Sequence, residues 1–170
     1  MSKDHIMSDG YKDIGFAKLD TEREERTGFS EVVFCQGKPD EHIARIFEEL
    51  LKENGRVLGT RASEHQYEIV KERIPDVLFD PVSRILKADR EGIDLTGLIA
   101  VCCAGTADIP VAEEAALTAE VLGNEVLRLY DVGVAGIHRL LANMEYVMGA
   151  SVIIAIAGME GALASVVGGL

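Results

Sequence analysis

The chain has 170 residues, 48% of them hydrophobic and 27% charged, enough for one good-sized domain or a domain with a small appendage. Its formal net charge of −12 excludes a protein that tracks nucleic-acid phosphates with a basic field. The same charge argues against an anionic membrane surface, so any anionic ligand must be held by local donors such as backbone N–H groups.

The first ten residues, MSKDHIMSDG, are polar and lack the apolar core of a signal peptide. Further on, Gly, Glu or Ser breaks every apolar stretch before it reaches the length of a membrane span. Cys35, Cys102 and Cys103 are odd in number and form no C-x-x-C pair, which reads as reduced thiols in a cytoplasmic protein. Residues 20–26, DTEREER, read as a short charged helix ahead of Gly28. EVVFCQ, residues 31–36, has strand composition. Residues 41–53 place Ile43, Ile46, Phe47 and Leu50 on one helical face, with Asp40 as the expected N-cap. A short strand at 56–60, a helix from 63 to 71 and strand pieces at 77–79 and 82–86 complete a small α+β unit over residues 1–94. Lys18, Asp20, Arg23 and Arg26 read as a solvated charged face. Arg61, just past the 56–60 strand, is a candidate anion contact, with a solvated charge as the alternative.

From residue 95 the texture changes. The run at 98–103 is continuously apolar, as in a strand buried on both faces. A helix at 111–122, a strand at 126–130, a helix at 135–148, a strand at 151–157 and a helix at 161–167 follow in alternation, which predicts βαβ units around a parallel sheet. The spacing implies the strand order 2-1-3 and puts three glycine-bearing turns along one edge, where open α/β sheets bind ligands.

In the first of these turns, Gly105 permits close backbone approach and Thr106 offers a hydroxyl. Asp108 can cap the next helix, whose first turn accepts Pro110. Two readings stand: the helix start is satisfied by Asp108, or it holds a phosphate. Cys102 and Cys103, inside the strand, read as core. In the second turn, YDVGVAGIHRLL puts Asp131, His138 and Arg139 at or just past a strand end, and His138 is either structural or part of the site. In the third, AGMEGA sets Glu160 between Gly158 and Gly161. A carboxylate beside apolar strand ends is expected to be desolvated and suited to proton transfer, or else it serves the dipole of the following helix.

The ordered segments GYKDIGFAKLDTEREERTGFSEVVFCQGK, GTRAS, AGTADIPVAEEAA, YDVGVAGIHRLL and AGMEGALASVVGGL resemble the LarB family of pyridinium-biscarboxylic acid mononucleotide synthases, which act in nickel-pincer nucleotide biosynthesis. The second unit, 95–170, is then similar to aminoimidazole ribonucleotide (AIR) carboxylase, and its sheet is expected to be an incomplete flavodoxin-like, three-layer α/β domain. The resemblance implies carboxylation of the pyridine ring of nicotinic acid adenine dinucleotide by CO2 or bicarbonate, with phosphoanhydride hydrolysis releasing AMP. It implies that a cysteine adds to the ring and that Glu160 removes the ring proton. It further implies that the turn Gly105, Thr106, Ala107 and Asp108 binds phosphate, and by their places at the strand ends Asp131, His138, Gly158 and Arg61 are expected to complete the substrate contacts. The family usually has Ser at the position of Ala107. No cofactor is implied beyond a candidate divalent metal ion, and no metal ligand is assigned. The family continues past residue 170 into a Ser-Cys segment bearing the nucleophile, so the 170 residues are expected to be a C-terminally truncated chain that needs that segment for carboxylation. A homo-oligomer is expected, with neither nucleic acid nor membrane as partner. The alternatives are AIR carboxylase or mutase activity and a catalytically inactive nucleotide-binding fragment.

Overall fold

The computed structural model describes residues 7–8 and 10–170, which divide into two units at the boundary between Gly92 and Ile93. The chain is mixed α/β throughout. In the first unit, three very short antiparallel strands, β1 (Met7–Ser8), β2 (Tyr11–Asp13) and β3 (Lys18–Leu19), form a small sheet that the sequence pattern did not announce. It is anchored by side chains rather than by ladder length. Ile14 and Leu19 are buried in the core, and Lys12 Nζ lies 2.7 Å from Glu49 and 2.5 Å from Glu53.

Helix α1 (Arg23–Thr27) follows and ends on left-handed Gly28. The larger sheet contains β4 (Val32–Phe34), β5 (Arg56–Thr60), β6 (Leu78–Asp80) and β7 (Ile85–Asp89) in the order β4-β5-β7-β6. Only β4 and β5 are parallel, because helix α2 (Asp40–Asn54) makes the crossover between them. The apolar face of α2 buries Ile43, Ile46, Phe47 and Leu50 as its spacing requires. Asp40 does not cap it. The N-cap is Pro39, whose carbonyl accepts from His42 and Ile43, and the Asp40 carboxylate lies 3.3 Å from His65 Nε2. Helix α3 (Glu64–Arg73) carries a full capping box between Ser63 and Gln66. The strand expected at 82–86 is displaced to 85–89. Asp80 Oδ1 accepts from both the backbone N–H and the hydroxyl of Ser83, which holds residues 80–84 in a turn.

The second unit is a parallel sheet of β8 (Leu98–Cys103), β9 (Glu125–Leu129) and β10 (Val152–Ile156), in the order β10-β8-β9. This is the 2-1-3 order of a flavodoxin-like sheet. Central β8 is covered on both faces. Val101 and Cys103 pack with Ala112 and Ala116 of helix α4 (Ile109–Val121). On the other side, Ala100 and Cys102 share a cluster with Leu140, Val147 and Leu163, carried by α5 (His138–Leu141), α6 (Met144–Met148) and α7 (Ala162–Gly169). The single helix expected at 135–148 is therefore broken. A 3-10 turn spans Val134–Gly136, and between α5 and α6 the Asn143 side chain donates to the Arg139 carbonyl at 2.8 Å.

Candidate active site

Three turns leave the C-terminal ends of the parallel strands of the second unit, and the backbone ties them together. Ala104 N–H donates to the Ile156 carbonyl at 2.9 Å, and Val132 N–H to the Cys103 carbonyl at 3.0 Å, extending the ladder past the strand ends. A Cβ on Gly133 would lie 2.6 Å from the Ala104 oxygen, so the second turn can approach the first this closely only as glycine. A Cβ on Gly158 would lie 3.5 Å from Asp108 Oδ1, which brings the third turn against the first.

Asp108 is placed differently from its expected role. It sits in helical conformation at the end of a 3-10 turn, Thr106–Asp108, and its side chain caps nothing in α4. Its carboxylate accepts instead from Gly105 N–H at 3.0 Å, while Asp108 N–H donates to the Gly105 carbonyl at 3.0 Å. That reciprocal pair closes the turn on itself and leaves Thr106 and Ala107 exposed at its crest. The cause is the inserted 3-10 turn. It starts helical geometry three residues ahead of α4, so Asp108 lies inside the spiral and not before it.

Asp131 has a left-handed backbone with φ 58° and pairs through Oδ2 with Arg139 Nη1. Arg139 Nε also lies 3.4 Å from the Gly136 carbonyl, so this arginine bridges the second turn to α5. His138, the first residue of α5, is exposed. In the third turn Met159 is left-handed at φ 53° and fully solvent-exposed, and Glu160 beside it is exposed too. The expected desolvation of Glu160 is thus not found in the second unit. Gly161 is left-handed and turns the chain into α7, so the carboxylate is carried outward on a loop crest. Arg61 belongs to the first unit. It is half-buried at the end of β5 with φ 56°, and its carbonyl accepts from Arg84 Nη2 at 2.9 Å.

The pattern reading named Arg139 without a role. The signal was present in the eight-residue spacing from Asp131, which spans the turn and the first residues of α5. The left-handed backbones at Asp131 and Met159 carry no composition signal, since neither is glycine. The thiols are placed as core. Cys35, Cys102 and Cys103 are all buried, and desolvation pushes all three upward, Cys35 to about 12. None is a surface thiolate. Among the described residues no three His, Cys, Asp or Glu side chains form a group that could hold a metal ion. Nor is any helix among them long and apolar enough to cross a membrane.

Residues 11–90 match the LarB/PurE-like N-terminal domain. This match, over somewhat less than half of the 170 residues, supports assignment to the LarB family. The likeness is to a family of the carboxylase and mutase type. An uncharacterized protein of Methanocaldococcus jannaschii is 39% identical over 159 residues, covering 88% of this chain. The chain spans 62% of that relative's length. The matched domain ends within the first unit, so the family assignment and the three-turn edge come from different parts of the chain.

Proposed function

We propose that the LarB-family chain acts in carboxylating the pyridine ring of nicotinic acid adenine dinucleotide, with hydrolysis of the phosphoanhydride to release AMP. The observation that carries this reading is the joining of three turns at one sheet edge, with Asp108 between Gly105 and Gly158 and Glu160 on the neighbouring crest. Thr106 and Ala107, ahead of α4, offer backbone N–H groups and a hydroxyl to a phosphate, and the helix dipole favours the anion. The Asp131–Arg139 pair fixes the second turn and leaves one guanidinium near the edge in a chain of net charge −12.

Ring carboxylation needs a carbon made nucleophilic and a base. Addition of a thiolate to the pyridinium supplies electron density to a neighbouring ring carbon, which attacks CO2. A carboxylate takes the ring proton, and expulsion of the thiolate restores aromaticity. Glu160 is the base in this scheme. Cys35, Cys102 and Cys103 are excluded as the nucleophile by their burial, so a thiol outside these three performs the addition. Glu160 is exposed in the free chain, and bound substrate would supply the desolvation that proton transfer favours.

Product analysis with nicotinic acid adenine dinucleotide and labelled bicarbonate, run on a form of the chain that also carries the expected Ser-Cys segment, tests the reading. Incorporation of label with AMP release supports it, and Glu160→Gln should then lower turnover about a hundredfold or more while substrate affinity holds. Labelling of aminoimidazole ribonucleotide instead would favour the purine-type reaction. Nucleotide binding without label in either compound would favour a binding module.

A further inference from the structure

A concave surface lies at the opposite edge of the same sheet from the three turns, where the strands begin. It has a volume of about 730 Å³, and Leu98, Val126, Leu127 and Tyr146 contribute to its apolar lining. Strand β8 is about 17 Å long at the usual rise, so this surface is separated from the three turns by the length of a strand. Its lining takes Glu125, Val126 and Leu127 from β9, which with β10 is one of the two edge strands of this sheet. No residue of β9 is fully buried, whereas the last four residues of β8 all are. The outward backbone groups of an uncovered edge strand are open to pairing with another extended chain.

The rim of the surface is acidic. Glu125 and Glu145 are exposed and have no ion-pair partner among the described residues. Glu120 is already engaged at 2.5 Å by Arg128, which also reaches Glu113 at 3.2 Å. Two uncompensated carboxylates thus flank an apolar trough along a free strand edge. A second copy of this chain, itself of net charge −12, is a poor electrostatic match for that rim.

We infer that β9 is a docking edge for an extended peptide segment that alternates basic and apolar residues. It would add to β9 as a further strand, with basic side chains on the face that Glu125 shares with Leu127 and Glu145, and apolar ones on the opposite face beside Val126. The recognition combines main-chain pairing for affinity with alternate side chains for selectivity. It is independent of the carboxylation reading, because it uses no residue of the three turns.

The probe is an acetylated, amidated pentapeptide alternating lysine and valine, titrated into the full chain and followed by amide NMR. Saturable binding should shift the amides of residues 125–129 most, weaken as ionic strength rises, and weaken about tenfold in Glu125→Lys/Glu145→Lys. Glu145→Lys alone, on an exposed position of α6, reads the same charge dependence if the double variant does not fold. Equal binding of a glutamate–valine pentapeptide would overturn the proposal. So would binding that leaves the β9 amides unshifted, absence of binding, or indifference to both charge reversals. Protection of the same amides by protein concentration alone would assign the edge to a second copy and overturn the peptide assignment.

Discussion

The two units build their cores by different means. In the first, α2 sends large side chains into a mixed sheet, and Phe47, Ile43 and Leu50 are fully buried. In the second, α4 meets β8 through Ala112 and Ala116, so backbone approaches backbone with little side chain between them. A core of large residues tolerates small backbone shifts, because rotamers can adjust. The alanine-lined face between α4 and β8 fixes the backbone itself, which is what a site made of backbone turns requires, while Leu140, Val147 and Leu163 fill the other face.

Truncating Phe47 to Ala gives the largest expected loss of stability. It removes a fully buried ring from the first unit and should cost about 3–5 kcal/mol. Amide hydrogen exchange separates the units: residues of α2 and β5 should lose protection while β8 retains it. Equal loss in β8 would show that the cores are one cooperative system and would break the comparison.

Gly133→Ala should act oppositely, on the turns more than on the core. The new Cβ would meet the Ala104 carbonyl oxygen at 2.6 Å, and a backbone atom cannot swing away as a flexible side chain can. A cost of about 1–3 kcal/mol is expected, with perturbation of AMP binding in titration. Unchanged AMP affinity with the fold intact would separate the anion site from this turn.

The smallest effect is alkaline. Burial pushes the Cys35 thiol up to about 12, above its unfolded value, so the folded state holds its proton longer. The associated stability is fully present below the unfolded pKa and fades as pH rises from about 9 toward 12. Cys35→Ala should flatten that part of the pH dependence in thermal melts of the first unit. An unchanged alkaline slope would assign the loss to other groups of the first unit, such as Lys12, whose ammonium the Glu49 and Glu53 carboxylates hold above its ordinary range.

The parallel sheet was legible because β8 is continuously apolar, a pattern that only a strand covered on both faces carries at that length. The 2-1-3 order followed from short alternating elements. The β1–β3 sheet was not legible, since strands of two or three residues have no periodicity and depend on Lys12 and Ile14 reaching distant partners. The α5–α6 break was hidden because it comes from the Asn143 side chain competing for a helical carbonyl, in a sequence otherwise compatible with one helix. At the site, the residue types and the edge they share could be read from spacing. The Asp108 bond to Gly105 could not, because a 3-10 turn and an N-cap need the same residues at nearly the same positions.

Arg61, Asp131 and Met159 each follow a strand and each hold a left-handed backbone, at φ 56°, 58° and 53°. For residues with a Cβ this costs roughly 1–2 kcal/mol apiece. Glycine would adopt the same conformation without that cost. A lineage bred only for thermal endurance would therefore drift to glycine at these positions. At Asp131 the side chain gives something in return, because its pair with Arg139 ties the turn to α5, so glycine there would relieve the backbone and release the turn.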